Sequence, residues 1–209
     1  MSDIQSSEMV YIVDDDPDVL NAMSRLLRVH GWRVETFDSA EAFLEGRDPQ
    51  ALACLVLDVT LPGLDGIELQ RRLLETRQSM PIIFLTGHGD IPMSVQTMRA
   101  GASNFLTKPA SAEDLRGAVR QAMDEEKLAR RARGDADQLK QRLAALTPRE
   151  REVLEAVAAG KLNKQIAGEL GVVEQTVKFH RARIMERMQA RSAAELMRMA
   201  AKLAIGEKT

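Results

Sequence analysis

Cysteine is almost missing from this chain. Cys54 stands alone among 209 residues, so no internal disulfide framework holds the fold, and a reducing compartment suits it. It lies in the apolar run "ALACLVLD", where a buried structural thiol is expected. Aromatics are scarce too, at 3%, with one Trp and one Tyr against eleven Met, so packing must be mainly aliphatic. No apolar run approaches the roughly 18 residues of a membrane-spanning helix. The opening "MSDIQSSEM" is polar and acidic, whereas a signal peptide is basic and then apolar. The expected location is the cytoplasm, with no membrane partner.

What is present is a composition of 44% hydrophobic and 29% charged residues, the balance of a globular protein with material for two cores. The net charge of −2 conceals an asymmetry: residues 1–124 carry −8, residues 125–146 carry +2 and residues 147–209 carry +4. An acidic front suits a cation and a basic back suits a polyanion.

Up to about residue 110, apolar runs alternate with helical patterns. Strands are expected at Val10–Val13, Arg33–Phe37, Ala53–Leu57, Ile82–Leu85 and Asn104–Leu106. Helices are expected near 17–30, 40–45, 66–76, 91–100 and 112–123, with Gly31 and Gly101 ending two of them. Strands that are apolar throughout and separated by helices predict a doubly wound α/β fold with a five-stranded parallel sheet. Right-handed crossovers then bring every strand C-terminus to one edge.

At that edge the sequence places reactive groups. "VYIVDDDPDVL" ends its apolar run in Asp14, Asp15 and Asp16; the third strand ends in Asp58, the fourth in Thr86 and the fifth in Lys108. Adjacent carboxylates repel unless a cation neutralises them, and hard oxygen ligands of this kind describe a magnesium site. A cation, a hydroxyl and an ammonium beside a carboxylate are equipment for phosphoryl transfer, in which the carboxylate can become an acyl phosphate. Asp58, alone after the central strand, is the candidate nucleophile. His88, in the polar "TGHGD" loop, is expected to be solvated.

From Asp114 to Leu146 good helix formers dominate. The expectation is an extension of the preceding helix, interrupted near Gly134, then a short helix holding Leu139, Leu143 and Leu146. The charged stretch reads as a solvated connector. The implied organisation is a front domain over 1–124, a helical linker over 125–142 and a back domain over 143–209.

The back domain reads as all-α. Thr147, Pro148 and Glu150 form a helix start signal, and Gly160 ends that helix. Asn163 is expected to cap a second helix ending before Gly171. A third runs from about Glu174 to Gln189, so that helix, tight turn and helix form a helix-turn-helix. Val177, Ile184 and Met188 share the core face of the third helix. The opposite face carries Gln175, Lys178, Phe179 and Ala182, with Arg181 and Arg183 on its flanks. Such a face fits the major groove of double-stranded DNA. Lys178 and Phe179 are candidates for base edges; Lys164, Thr176, Arg181 and Arg183 are candidates for the phosphate backbone. His180 is expected to pack between helices.

The motifs "YIVDDDPDV", "LVLDVTLPGLDGIEL" and "IIFLTGHGDIPMSVQTMRAGASNFLTKP" resemble the receiver domain of two-component response regulators of the FixJ/NarL type, over residues 9–124. The resemblance implies a flavodoxin/CheY-like fold. Asp14 and Asp15 would be its acidic pair, with Asp15 a direct magnesium ligand and Asp14 reached through water. Asp58 would be the phosphoacceptor and a further ligand, joined by the carbonyl of Thr60. Thr86 and Lys108 would bind phosphoryl oxygens, Phe105 would be the aromatic switch, and the Lys108–Pro109 bond would be cis. Asp16 is left without a role. Leu61 and Ala110 depart from the usual Met and aromatic residue.

"LTPREREVL", "NKQIAGELG" and "TVKFHRARIMERMQARSAAEL" resemble the LuxR-type DNA-binding domain over about residues 143–204, in which a fourth helix, near 192–203, commonly pairs two copies on DNA. Val173 stands where that family often has a capping Ser or Thr. Together the resemblances imply a sensor histidine kinase as phosphodonor, a homodimer on phosphorylation, DNA binding and contact with RNA polymerase. The implied dimer surface is the face of the fourth and fifth helices and fifth strand of the front domain. A competing expectation is an enzyme: Asp14-x-Asp16 is similar to the signature of haloacid dehalogenase-type magnesium phosphohydrolases. A third is a DNA-binding regulator that works without phosphorylation.

Overall fold

The computed structural model describes residues 8–76, 80–87, 97–203 and 205. The chain divides into two compact units, Met1–Arg130 and Arg131–Thr209.

In the first unit, strands β1 (Glu8–Val13), β2 (Arg33–Phe37), β3 (Leu52–Asp58), β4 (Ile82–Thr86) and β5 (Asn104–Thr107) alternate with helices α1 (Pro17–Val29), α2 (Ala40–Gly46) and α3 (Gly66–Glu75). All neighbouring strands pair in parallel, in the order β2-β1-β3-β4-β5. The doubly wound sheet expected from the sequence is therefore present. Successive side chains along a strand point to opposite faces, and this splits the core. Tyr11, Val13, Leu55, Leu57 and Phe84 pack with Phe43 of α2 and Leu69 and Leu73 of α3. Val10, Ile12, Cys54, Val56, Ile83 and Leu85 pack with Met23 and Leu27 of α1 and with Leu115 and Val119 further along the chain. Cys54 is wholly buried, and burial pushes its thiol far above the ordinary range.

Residues 97–99 are helical. They end the helix expected over 91–100, whose residues 91–96 lie outside the described residues, as does His88.

Helix α4 (Ala112–Ala144) differs from expectation. The predicted break at Gly134 is absent: one 33-residue helix replaces two. A helical glycine costs about 1 kcal/mol relative to alanine, too little to break a helix surrounded by strong formers. The expected solvated connector is present over residues 131–138, all of them exposed, but the stretch before it is anchored. Lys127 Nζ pairs with Glu8 Oε1 at 2.6 Å, and Arg130 Nη2 donates to the carbonyls of Gln50 and Ala51 at 2.9 Å each.

In the second unit, α5 (Pro148–Ala158), α6 (Asn163–Leu170), α7 (Glu174–Met188) and α8 (Ala193–Lys202) enclose Val153, Leu154, Ile166, Val177, Ile184, Met188 and Leu196, joined by Leu139 and Leu146. Thr147 forms the expected capping box with Glu150. Asn163 does not cap α6; it is that helix's first residue, and its side chain accepts a hydrogen bond from Arg181 instead. The amide of Leu162 is satisfied by Gln165 Oε1 at 2.8 Å. Gly171, at φ 65°, supplies the left-handed turn into α7 that a glycine adopts without steric cost. Among the described residues, no helix is long and apolar enough to cross a membrane.

Candidate functional site

The parallel order sets β1 and β4 on either side of β3, so their C-terminal ends share a rim. Asp58 is the last residue of β3 and Thr86 the last of β4; Asp58 stands opposite Leu85, one residue before Thr86. Asp14 follows β1 directly, and Lys108 follows β5 with its amide bonded to the Thr86 carbonyl at 2.7 Å. The Lys108–Pro109 bond is cis.

At this rim Lys108 Nζ donates to Asp58 Oδ2 at 2.6 Å. It also forms an ion pair with Asp14 Oδ2 at 2.6 Å, so that one ammonium is shared by two buried carboxylates. The second oxygens are held locally: Asp14 Oδ1 accepts from the Asp16 amide and Asp58 Oδ1 from the Thr60 amide, each at 3.0 Å. Asp14, Asp58 and Thr86 are buried, whereas Asp15 and Thr60 are exposed.

The charges act on one another. Burial pushes the Asp14 carboxyl above its ordinary value, against the lowering pull of Lys108 and the Asp16 amide. Burial alone would lower the Lys108 ammonium, but Asp14 and Asp58 together outweigh it and raise it. Carboxylate oxygens of Asp14, Asp15 and Asp58 lie within 4.8 Å of one another. Three carboxylates that offer only oxygen donors fit a hard divalent cation. Asp16 does not join them. Its side chain accepts from the amides of Asp18 and Val19 and caps α1. An Asp one residue before an expected helix was signal enough for that role.

Sequence reasoning also passed over Gly66. A Cβ there would collide with the backbone carbonyl of Asp58, and the Gly66 amide bonds the Val59 carbonyl at 3.0 Å. The glycine lets the start of α3 press against the segment that carries Asp58. Gln70 of α3 is buried and donates to the carbonyls of Thr97 and Ala100 at 3.4 and 3.3 Å. A lone Gln in a helical pattern gives no sign of that. Phe105 is partly buried against the core on the α2–α3 side of the sheet, and Ala110 packs against the opposite one.

The second candidate site is α7. Its core face is Val177, Ile184 and Met188, all fully buried, and its opposite face exposes Gln175, Lys178, Phe179, Ala182 and Arg183. Lys164 on α6 is exposed as well. Thr176 and Arg181 are half-buried, and Arg181 Nη1 donates to Asn163 Oδ1 at 2.9 Å, which makes it a brace between α7 and α6. His180 is half-buried, consistent with packing. Val173 precedes α7 without a side-chain cap bond. Beneath the surface, Glu150 is buried and pairs with Arg187 at 3.2 Å. Burial works to raise this carboxyl, but hydrogen bonds from the Thr147 amide and hydroxyl, with Arg187 and His180 beyond, hold it below its ordinary value.

The family model described as the response regulator receiver domain matches residues 10–120, and that of bacterial regulatory proteins of the luxR family matches residues 144–200. The chain is 47% identical to the response regulator protein TmoT of Ectopseudomonas mendocina over 206 residues, covering 97% of this chain and 91% of that protein. It is 39% identical to the transcriptional regulatory protein FixJ of Bradyrhizobium diazoefficiens over 191 residues, covering 91% and 93%. The solved structure of the response regulator StyR matches with a TM-score of 0.84 at 47% identity, covering 94% of this chain and all of that one.

Proposed function

This chain belongs to the response regulators that join a receiver domain to a LuxR-type DNA-binding domain, and on that footing we propose that phosphorylation of Asp58 controls dimerisation and sequence-specific DNA binding. A sensor histidine kinase is the phosphodonor. A carboxylate oxygen of Asp58 attacks phosphorus, the bond from phosphorus to the kinase histidine nitrogen breaks, and an acyl phosphate forms. Asp15, Asp58 and the Thr60 carbonyl would hold Mg2+, with Asp14 reached through water, and the ion would neutralise charge on the phosphoryl oxygens.

Lys108 answers the charge of the phosphoryl group, ≈ −1.5 to −2 at neutral pH, by moving its ammonium from the carboxylates to the new oxygens. The Thr86 hydroxyl turns toward them as well, and Phe105 moves inward behind it. The face carried by residues 97–100, β5 and the start of α4 is thereby biased toward pairing. Two α7 helices related by a two-fold axis then read half-sites one turn of DNA apart. Gln175, Lys178, Phe179 and Ala182 face the bases, while Lys164, Thr176 and Arg183 face phosphates; Arg181 braces α7 and reaches the backbone from its flank. Bound to DNA in the cytoplasm, the dimer contacts RNA polymerase.

The observation that carries this reading is the Lys108 bridge to Asp58, formed between the ends of different strands beside two further acids. The chain acts as a stoichiometric switch rather than a turnover catalyst. In the hydrolase reading Asp16 would have to work at the site, yet it caps α1.

The test is intact-mass analysis of the full chain with Mg2+ and a small-molecule phosphodonor, with DNA binding measured in parallel. One phosphoryl group per chain, absent in Asp58→Asn, and tighter DNA binding are expected. Multiple turnover of a phosphate ester would favour the hydrolase. Equal DNA affinity and dimerisation for the two proteins would favour a regulator independent of phosphorylation.

A further inference from the structure

All seven aromatic side chains are described, and Phe179 alone among them is exposed, at 57%. Trp32, Phe37 and Phe105 are partly covered, and Tyr11, Phe43 and Phe84 are buried. A single exposed apolar side chain is ordinary on a protein surface; what distinguishes Phe179 is its place, as the one large apolar side chain on the exposed face of α7, opposite Val177, Ile184 and Met188. The ring is also held in place. The Arg183 guanidinium carbon lies 5.5 Å from its centroid, the His180 ring lies edge-on at 5.9 Å, and Arg183 is pinned by Glu186 at 3.1 Å. Ala182, one turn further along the same exposed face, extends the apolar surface, and Gln175 lies one turn before it.

Phe179 offers no hydrogen-bond donor or acceptor. In a major groove the one base feature such a side chain can recognise is the C5-methyl group of thymine, which no other natural base of unmodified DNA presents there. We infer that Phe179, held by Arg183, is a specificity-determining residue that reads a thymine methyl, with Ala182 widening the apolar contact. This rests on the proposal above that α7 enters the major groove. Gln175 suits the adenine edge of a neighbouring pair, so the step read here is rich in A·T. Phe179 contributes contact area rather than charge, so its loss leaves the salt dependence of binding unchanged, whereas loss of Lys164 or Arg183 lowers it.

The experiment uses the full-length chain, with and without a small-molecule phosphodonor, and a duplex obtained by in vitro selection from random sequence. Each thymine in the selected half-site is then replaced by uracil, which removes the methyl and leaves base pairing intact. Wild type is expected to lose about fourfold in affinity at one thymine position, the worth of one buried methyl. Phe179→Ala is expected to bind both duplexes equally, and Phe179→Leu to retain part of the discrimination. Circular dichroism establishes that the variants fold, which exposure of the side chain favours. If the wild type binds thymine and uracil duplexes equally, or Phe179→Ala still discriminates between them, the assignment is overturned. If no duplex is selected at all, the major-groove reading itself fails, and that outcome is distinct.

Discussion

Lys108 Nζ sits 2.6 Å from Asp14 Oδ2 and 2.6 Å from Asp58 Oδ2, one ammonium between two buried carboxylates. The Asp14 carboxylate is almost wholly covered, with a side-chain exposure of 1%, and it faces a second acid across the same ammonium. A negative charge is thus held out of water by one shared cation and the Asp16 amide, and folding alone does not favour such an arrangement.

Asp14→Asn is accordingly expected to stabilise the first unit while weakening cation binding. Because burial raises the Asp14 carboxyl, its favourable contribution is complete below the unfolded value and is lost as pH rises through the folded one. The variant should therefore melt like wild type near pH 4 and gain about 1–2 kcal/mol at neutral pH in chelator. Thermal unfolding at the two pH values, with and without Mg2+, reads both effects. A neutral-pH loss of stability would mean that the Lys108 contact outweighs the desolvation of Asp14.

Lys108→Met should act in opposite directions on stability and on metal. It leaves Asp14 and Asp58 facing each other unneutralised, at a cost of about 3 kcal/mol, and deepens the negative potential that attracts a divalent ion. The raised Lys108 ammonium contributes stability below its unfolded value and loses it as pH climbs through the folded one. Wild type should therefore weaken above about pH 10.5, and the variant should lack that alkaline limb. Denaturant titrations across pH, together with Mg2+ titrations at neutral pH, separate the two effects.

Gly66→Ala tests how the segment that carries Asp58 is held. The added Cβ meets the Asp58 carbonyl oxygen and approaches the Val59 Cα at 3.1 Å, both backbone atoms that cannot turn aside. A cost of about 1–3 kcal/mol is expected from such overpacking, with slower phosphoryl uptake at Asp58. Stability close to wild type with normal uptake would show that α3 is free to retreat.

The strand-end chemistry was legible in the sequence because it depends on periodicity and topology. Apolar runs predict a parallel sheet, and a parallel sheet gathers Asp14, Asp58, Thr86 and Lys108 on one edge whatever the details of packing. What could not be read are features decided by a partner distant in sequence. Gly134 is a local case instead: its cost of about 1 kcal/mol is outweighed by the strong helix formers on both sides. Asn163 has the identity of a cap, but Arg181, 18 residues on, takes its side chain. Lys127 and Arg130 look like solvated charges until Glu8 and the Gln50 and Ala51 carbonyls are placed beside them.

In the second unit, Glu150 joins the start of α5 to α7: it accepts from the Thr147 amide at 2.8 Å and pairs with Arg187 at 3.2 Å. Its carboxyl is held below the usual value, so the sign is the reverse of Asp14. The stabilisation is present above the unfolded value, near pH 4.5, and is lost as pH falls through the folded one. Glu150→Gln should flatten that acid limb and cost about 2 kcal/mol at neutral pH, the scale of a charge-assisted hydrogen bond. Since α7 is the helix that carries Phe179 and Lys178, the same variant should also loosen DNA binding without removing any group proposed to face DNA. Acid titration followed by circular dichroism, beside binding at neutral pH, checks both consequences, and an unchanged acid limb would assign the stability of this unit to its apolar core alone.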